Sequence, residues 1–107
     1  MINVTYYRNR HRLTAVGHSG KAAAGQDLVC AAVSALVLTV ASNVASLITQ
    51  DQAQHPVLRL QEGDAWISCV ALPDREEVVT LIFDTVCGGF ELLQTLYPEN
   101  VCYRVVG

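Results

Sequence analysis

Two residues with the chemistry of a nucleophile and a base stand twelve positions apart, His18 and Cys30. They bracket the stretch Gly17-His18-Ser19-Gly20-Lys21-Ala22-Ala23-Ala24-Gly25-Gln26-Asp27-Leu28-Val29-Cys30. Gly17, Ser19, Gly20 and Gly25 read as a bendable, mobile loop between a strand and a long apolar helix. Asp27 has the short polar side chain of a helix N-cap. A helix starting there would put Cys30 in its first turn, where unpaired backbone N–H groups and the helix dipole favour negative charge. A thiol so placed loses its proton more easily, and the thiolate is the nucleophile. An imidazole can then serve as the base, because the two groups need to meet in space and not in sequence. An ionised Asp27 would oppose the thiolate; its alternatives are to orient His18 or to hold the loop. Ser34 falls one turn after Cys30 on the same helix face. It reads first as a serine bonded to the Cys30 carbonyl and second as a polar group in the wall of a site.

The other candidates read as less reactive. His11 lies between Arg10 and Arg12 in a turn, and His55 precedes Pro56 in a polar connection, so both are expected to be solvated. Cys69 and Cys102 on strands, and Cys87 in a helix, read as small hydrophobic residues. No two cysteines have the C-x-x-C spacing of a zinc site, and neither metal nor cofactor is expected. Gly20-Lys21 lacks the flanking residues of a phosphate loop, and Gly17-x-x-Gly20 stands too far from the helix for a dinucleotide fingerprint.

The elements that must hold these residues follow from periodicity. Ile2, Val4 and Tyr6 alternate with polar partners, as do residues 11 to 16, so a hairpin turns at Arg8-Asn9-Arg10 with Asn9 suited to the left-handed position. The helix after the loop runs to about Thr49. Its 22 uncharged residues from Leu28 would suffice to cross a membrane. Ser34, Thr39, Ser42, Asn43, Ser46, Thr49 and the flanking Asp27 and Asp51 argue instead for burial on nearly all sides within a protein. Its alanines at 31, 32, 35, 41 and 45 would admit a second helix closely. After a polar connection from Gln50 to Pro56, strands at Val57–Gln61 and Ala65–Ala71 form a second hairpin. Asp74 with Glu77 resembles a capping box for a helix carrying Val78, Leu81, Ile82, Val86, Phe90, Leu93 and Leu96. Gly88-Gly89 either bends that helix or allows close packing. A strand at Val101–Val106 ends the chain. The order ββαββαβ gives an α+β fold, two helices packed on a mostly antiparallel sheet.

The 107 residues, 51% of them hydrophobic, fit one domain spanning 1–107. A net charge of −3 is not the footprint of a nucleic-acid binder, so no direct nucleic-acid partner is expected, and no membrane partner either. No leader pattern opens the sequence, and its four cysteines are expected to be reduced thiols in the cytoplasm.

Gly17-His18-Ser19-Gly20, followed by Gly25-Gln26-Asp27-Leu28-Val29-Cys30-Ala31-Ala32-Val33-Ser34-Ala35, resembles the signature of the ribosomal-processing cysteine protease family, Prp. Tyr6-Tyr7-Arg8-Asn9 and Leu92-Leu93…Tyr97-Pro98-Glu99 extend the likeness over nearly the whole chain. The resemblance implies that His18 and Cys30 are the catalytic pair and that Asp27 and Ser34 belong to the site. It also implies that the loop covers bound substrate and that the protein is a homodimer. The implied substrate is the precursor of large-subunit ribosomal protein twenty-seven, whose N-terminal extension is removed. The corresponding reaction is endoproteolysis, with N–H groups of the loop and helix N-terminus holding the oxyanion. The rival expectations are a non-catalytic, ribosome-associated peptide-binding module and a redox-sensing thiol.

Overall fold

A five-stranded sheet with both helices on one side forms the frame of the protein. The computed structural model describes residues 1–17 and 24–107, with side chains in the first helix from Leu28 onward. The elements are β1 (Ile2–Tyr7), a 3-10 turn (Arg8–Arg10), β2 (Arg12–Val16), α1 (Ala24–Thr49), β3 (Ala53–Gln61), β4 (Asp64–Ala71), α2 (Glu76–Leu96) and β5 (Val101–Val106). The strand order is β3-β4-β2-β1-β5. Only the β1–β5 pair is parallel, and α2 makes the crossover between its hairpin and that edge. The α+β reading and the order ββαββαβ therefore hold.

Alternation puts Ile2, Val4, Tyr6, Leu13, Ala15, Ala65, Ile67, Cys69 and Val101 under the helices, where all are buried. Val29, Val33, Val37, Val40, Val44 and Leu47 of α1 meet them, as do Val79, Phe83, Cys87, Phe90 and Leu93 of α2. α1 lies over β3 and β4, α2 lies over β5, and the two helices touch each other. Gly89 marks that contact. A methyl group there would come within 2.8 Å of the Leu36 side chain, so close packing, and not a bend, explains this glycine; α2 runs through it unbroken.

Several expectations need correction. α1 is buried along one face only. Leu28 and Leu38 are more than half exposed, and of the five alanines Ala31, Ala35 and Ala45 are exposed while Ala32 packs against the core and Ala41 is buried. The helix begins at Ala24, not after an Asp27 cap. Alanine is the strongest helix former, and an acid in the first turn suits the helix dipole as well as one at the cap. Asp74 does not cap α2 either. It adopts φ 66°, a left-handed turn that aspartate tolerates, while Arg75 occupies the N-cap without a side-chain bond. β3 begins four residues before Val57, with an irregularity between Gln54 and Val57. At the first hairpin His11, and not Asn9, takes the left-handed conformation. His11 is also buried, at 7% exposure. Its Nε2 lies 2.7 Å from the Thr80 hydroxyl and its ring packs against Phe83. Cys102 is exposed, not a core residue. His55 is exposed as expected.

Candidate active site

Gly17 directly follows β2, and the chain there is fixed by its neighbours. Its φ of 115° excludes most side chains, and a Cβ would collide with the Met1 carbonyl at the start of β1. The Gly17 N–H donates to the Gly63 carbonyl at 3.0 Å, which ties the end of β2 to the β3–β4 turn. Three segments thus converge on one point: the start of β1, the end of β2 and the tip of the second hairpin.

Beside that point α1 passes with Cys30 half-buried. A cleft of about 400 Å³ opens between them. Cys30, Val33, Ser34, Val37 and Leu38 form its helical wall, Ile2, Ala15 and Gly17 its floor, and Leu60 through Ala65 its far wall. The lining is largely apolar, with Ser34 and the β3–β4 turn adding polar groups. Such a concave, mostly apolar surface with a thiol in its wall suits an extended peptide with bulky side chains.

The four cysteines fall into different environments, and no disulfide joins them. Burial pushes the Cys69 thiol up to about 11 and the Cys87 thiol up to about 12, so both stay protonated and unreactive at neutral pH. Cys102 is exposed but stands on a flat strand. Cys30 alone among them lines the cleft.

The structure brings together Cys30, Ser34 and Gly17 from the expected set. His18, Ser19 and Gly20 lie outside the described residues; Gly25 and Asp27 are described only as part of the backbone of α1. The early start of α1 changes one part of the argument. Cys30 is the seventh helical residue, in the second turn, whereas dipole stabilisation of an anion fades within the first. The helix-dipole part of the expectation for Cys30 is therefore weakened. The far wall was missed from the sequence. Glu62-Gly63-Asp64 is legible as a turn, but nothing in the chain ties it to a segment 46 residues upstream. Among the described residues, no three His, Cys, Asp or Glu side chains cluster as a metal site would require.

A comparison with solved structures shows the same architecture. The chain aligns with the ribosomal processing protease Prp from S. aureus in complex with a substrate peptide at 18% identity and a TM-score of 0.68, covering 97% of this chain and 96% of that one. A second structure of that protease, with a covalently linked product peptide, aligns at 21% identity and the same TM-score and coverage. SMU.848 from Streptococcus mutans aligns at 22% identity and a TM-score of 0.66, covering 98% of this chain and 91% of that one. A search of curated proteins returns no match. The model of one protein family, cysteine protease Prp, matches residues 1–102. That match takes in every element from β1 into β5, the cleft and both residues of the proposed pair, and the chain belongs to the Prp family of cysteine proteases.

Proposed function

We propose that the protein is a ribosomal-processing endopeptidase that uses Cys30 as nucleophile and His18 as general base, and that its substrate is the N-terminal extension of large-subunit ribosomal protein twenty-seven. The observation that carries this reading is the cleft. Cys30 lines it from α1 and Gly17 lines it from β2, and His18 follows Gly17 by a single peptide unit, about 3.8 Å from Cα to Cα. The S. aureus ribosomal processing protease, similar in fold and seen with a substrate peptide and with a covalently linked product peptide, supports the processing role and the peptide substrate.

The chemistry balances on these two groups. The imidazole takes the thiol proton, and the sulfur attacks the peptide carbonyl carbon. The tetrahedral intermediate collapses as the imidazolium returns the proton to the leaving amine, leaving a thioester. Water, deprotonated by the same imidazole, then hydrolyses the thioester and regenerates the thiol. Ser34 stands in the cleft wall as a hydrogen-bonding group for the peptide. Asp27 has the charge to orient the imidazolium. The apolar floor of Ile2, Ala15 and Val33 suits bulky side chains at the cut. The uncovered apolar face of α1 suits the homodimer that the family resemblance implies. We assign the protein to the cytoplasm, where its thiols stay reduced.

The test is cleavage of the ribosomal protein precursor, followed by mass spectrometry. Wild type is expected to release the extension and Cys30→Ala to release none, while Cys102→Ala cuts normally. Cutting that survives Cys30→Ala overturns the nucleophile. Cutting of other peptides but not of this precursor overturns the substrate and leaves the protease intact.

A further inference from the structure

The side of the sheet away from the helices carries a surface that the protease reading does not use. The register defines it. One row across the sheet runs Arg104, Thr5, Thr14, Trp66, Arg59, and the next runs Val106, Tyr7, Arg12, Ser68, Val57. An open face is normal for an antiparallel sheet, and usually it is only a solvated surface. This one is organised. The Arg12 guanidinium lies 4.4 Å from the Trp66 ring centroid and 5.7 Å from that of Tyr7, and Arg59 lies 5.6 Å from Trp66 on the same ring. Stacking of this kind holds a guanidinium flat and leaves its N–H edge for an anion. The Arg12 Nε is buried and has no hydrogen-bond partner, an unmet donor within the stack. Arg104 extends the array, its Nε 3.4 Å from the Thr5 hydroxyl.

Charge is segregated here against the trend of the chain. The whole sequence has seven basic and ten acidic residues. Among the strand residues of this face, however, Arg12, Arg59 and Arg104 meet a single acid, Asp64, which is paired with Arg59 at 3.1 Å. We propose that this face binds single-stranded RNA, with Arg12, Arg59 and Arg104 on successive phosphates and the flanks of Tyr7 and Trp66 against bases. Five strands span about 19 Å at roughly 4.8 Å each, room for a short run of nucleotides. An acidic peptide fits less well. It would find the charge, but peptides add to sheet edges or fill grooves, and a flat array of rings suits stacked bases. The face is opposite the cleft, so the inference stands whether or not the protease assignment does. The net charge of −3 hides it, because that sum averages over both sides of the sheet.

The test is fluorescence anisotropy of the full chain with a labelled short oligouridylate at increasing salt. Binding is expected at low salt, weakening with a log–log slope of about −2, as three phosphate contacts on a single strand require. Arg104→Glu is expected to weaken binding about tenfold and flatten the slope by about 0.7. Arg59→Gln gives an independent reading of the same face. Arg75→Glu, a charge change of equal size just ahead of α2 and off this face, is expected to leave binding unchanged. Circular dichroism confirms that each variant is folded. The inference is overturned by no binding at low salt, by equal weakening in Arg75→Glu, or by an oligoglutamate peptide displacing the RNA.

Discussion

In sequence a histidine flanks each end of β2 (His11 before it and, one residue past Gly17, His18), and the two stand in different positions: the fold uses the first, and the second is the proposed base. At the entry, His11 is buried, bonded to Thr80 and packed on Phe83. Next to it the Tyr6 hydroxyl donates to Asp84 at 2.8 Å, and Arg8 grips the same carboxylate with two nitrogens. Burial and the Asp84 hydrogen bond push the Tyr6 phenol far up, and Arg8 holds the Asp84 carboxyl below its usual range. Tyr6, Arg8, His11 and Asp84 thus each have a side-chain partner within the protein. At the exit, Gly17 lines the cleft that has the Cys30 thiol in its wall, and His18 is the next residue in the sequence. The comparison teaches that a histidine's role follows from whether its neighbours use up its hydrogen bonds. A satisfied imidazole supports the fold, whereas the base role proposed for His18 requires an imidazole left available to a substrate.

The sharpest way to break this contrast is to exchange the losses. His18→Ala is expected to lower peptide cleavage by about 10²–10⁴-fold, the usual worth of a general base, with the melting temperature unchanged. His11→Asn, which keeps the left-handed backbone accessible, is expected to lower the melting temperature and leave kcat/KM unchanged. Equal activity losses in both would dissolve the distinction between the two ends.

Gly17→Ala follows. Its backbone cannot accept a side chain without strain, and the atom in the way is the backbone carbonyl of Met1, immediately ahead of β1. A cost of about 3 kcal/mol is expected, read by urea denaturation. Cleavage should fall as well even under conditions where the variant is fully folded, because the same glycine lines the cleft. A stable, fully active Gly17→Ala would show that the convergence at Gly17 does not position the site.

Much of this was legible in the sequence, and the limits have a common cause. Strands and helices came from alternation and helical spacing, which are local, and Val101–Val106 was read with the right bounds. Cys30 was legible as the candidate thiol because it stands near the start of a long apolar helix after a glycine-rich segment, and the structure sets it in the wall of a cleft. His11 was misread because its partners, Thr80 and Phe83, are about seventy residues away and its sequence neighbours are arginines. The far wall of the cleft was missed for the same reason. α1 was taken as buried all round because composition reports how apolar a helix is, not which of its faces has a neighbour. The start of α1 was misplaced because Asp27 serves a helix equally well at its cap or in its first turn.

Thr80→Val sharpens the comparison from the other side. It keeps the shape but leaves the buried His11 Nε2 without its hydroxyl, for an expected loss of about 1–2 kcal/mol in chemical denaturation. Peptide cleavage should not change. A drop in kcat would mean that the two ends of β2 communicate.

The smallest expected effect is a pH dependence of stability, and it carries the comparison into titration. Burial lowers the His11 pKa below its ordinary 6.5, and this outweighs the upward pull of Glu76 and Asp84. The unfolded chain therefore binds that proton first as pH falls. The stability due to neutral His11 is complete above 6.5 and declines as pH drops through 6.5 towards the lower folded value. Asp84 adds a second, separate window. Its folded pKa lies below the ordinary 3.8, mainly through the Arg8 hydrogen bond, so its contribution holds above 3.8 and is lost only on further acidification. Thermal melts across this range should show two declines. His11→Asn should remove the upper one and keep the lower, because the Tyr6–Asp84–Arg8 group does not pass through the imidazole. An unchanged upper decline in His11→Asn would move its origin to another histidine and remove the evidence that the entry of β2 is built around a neutral one.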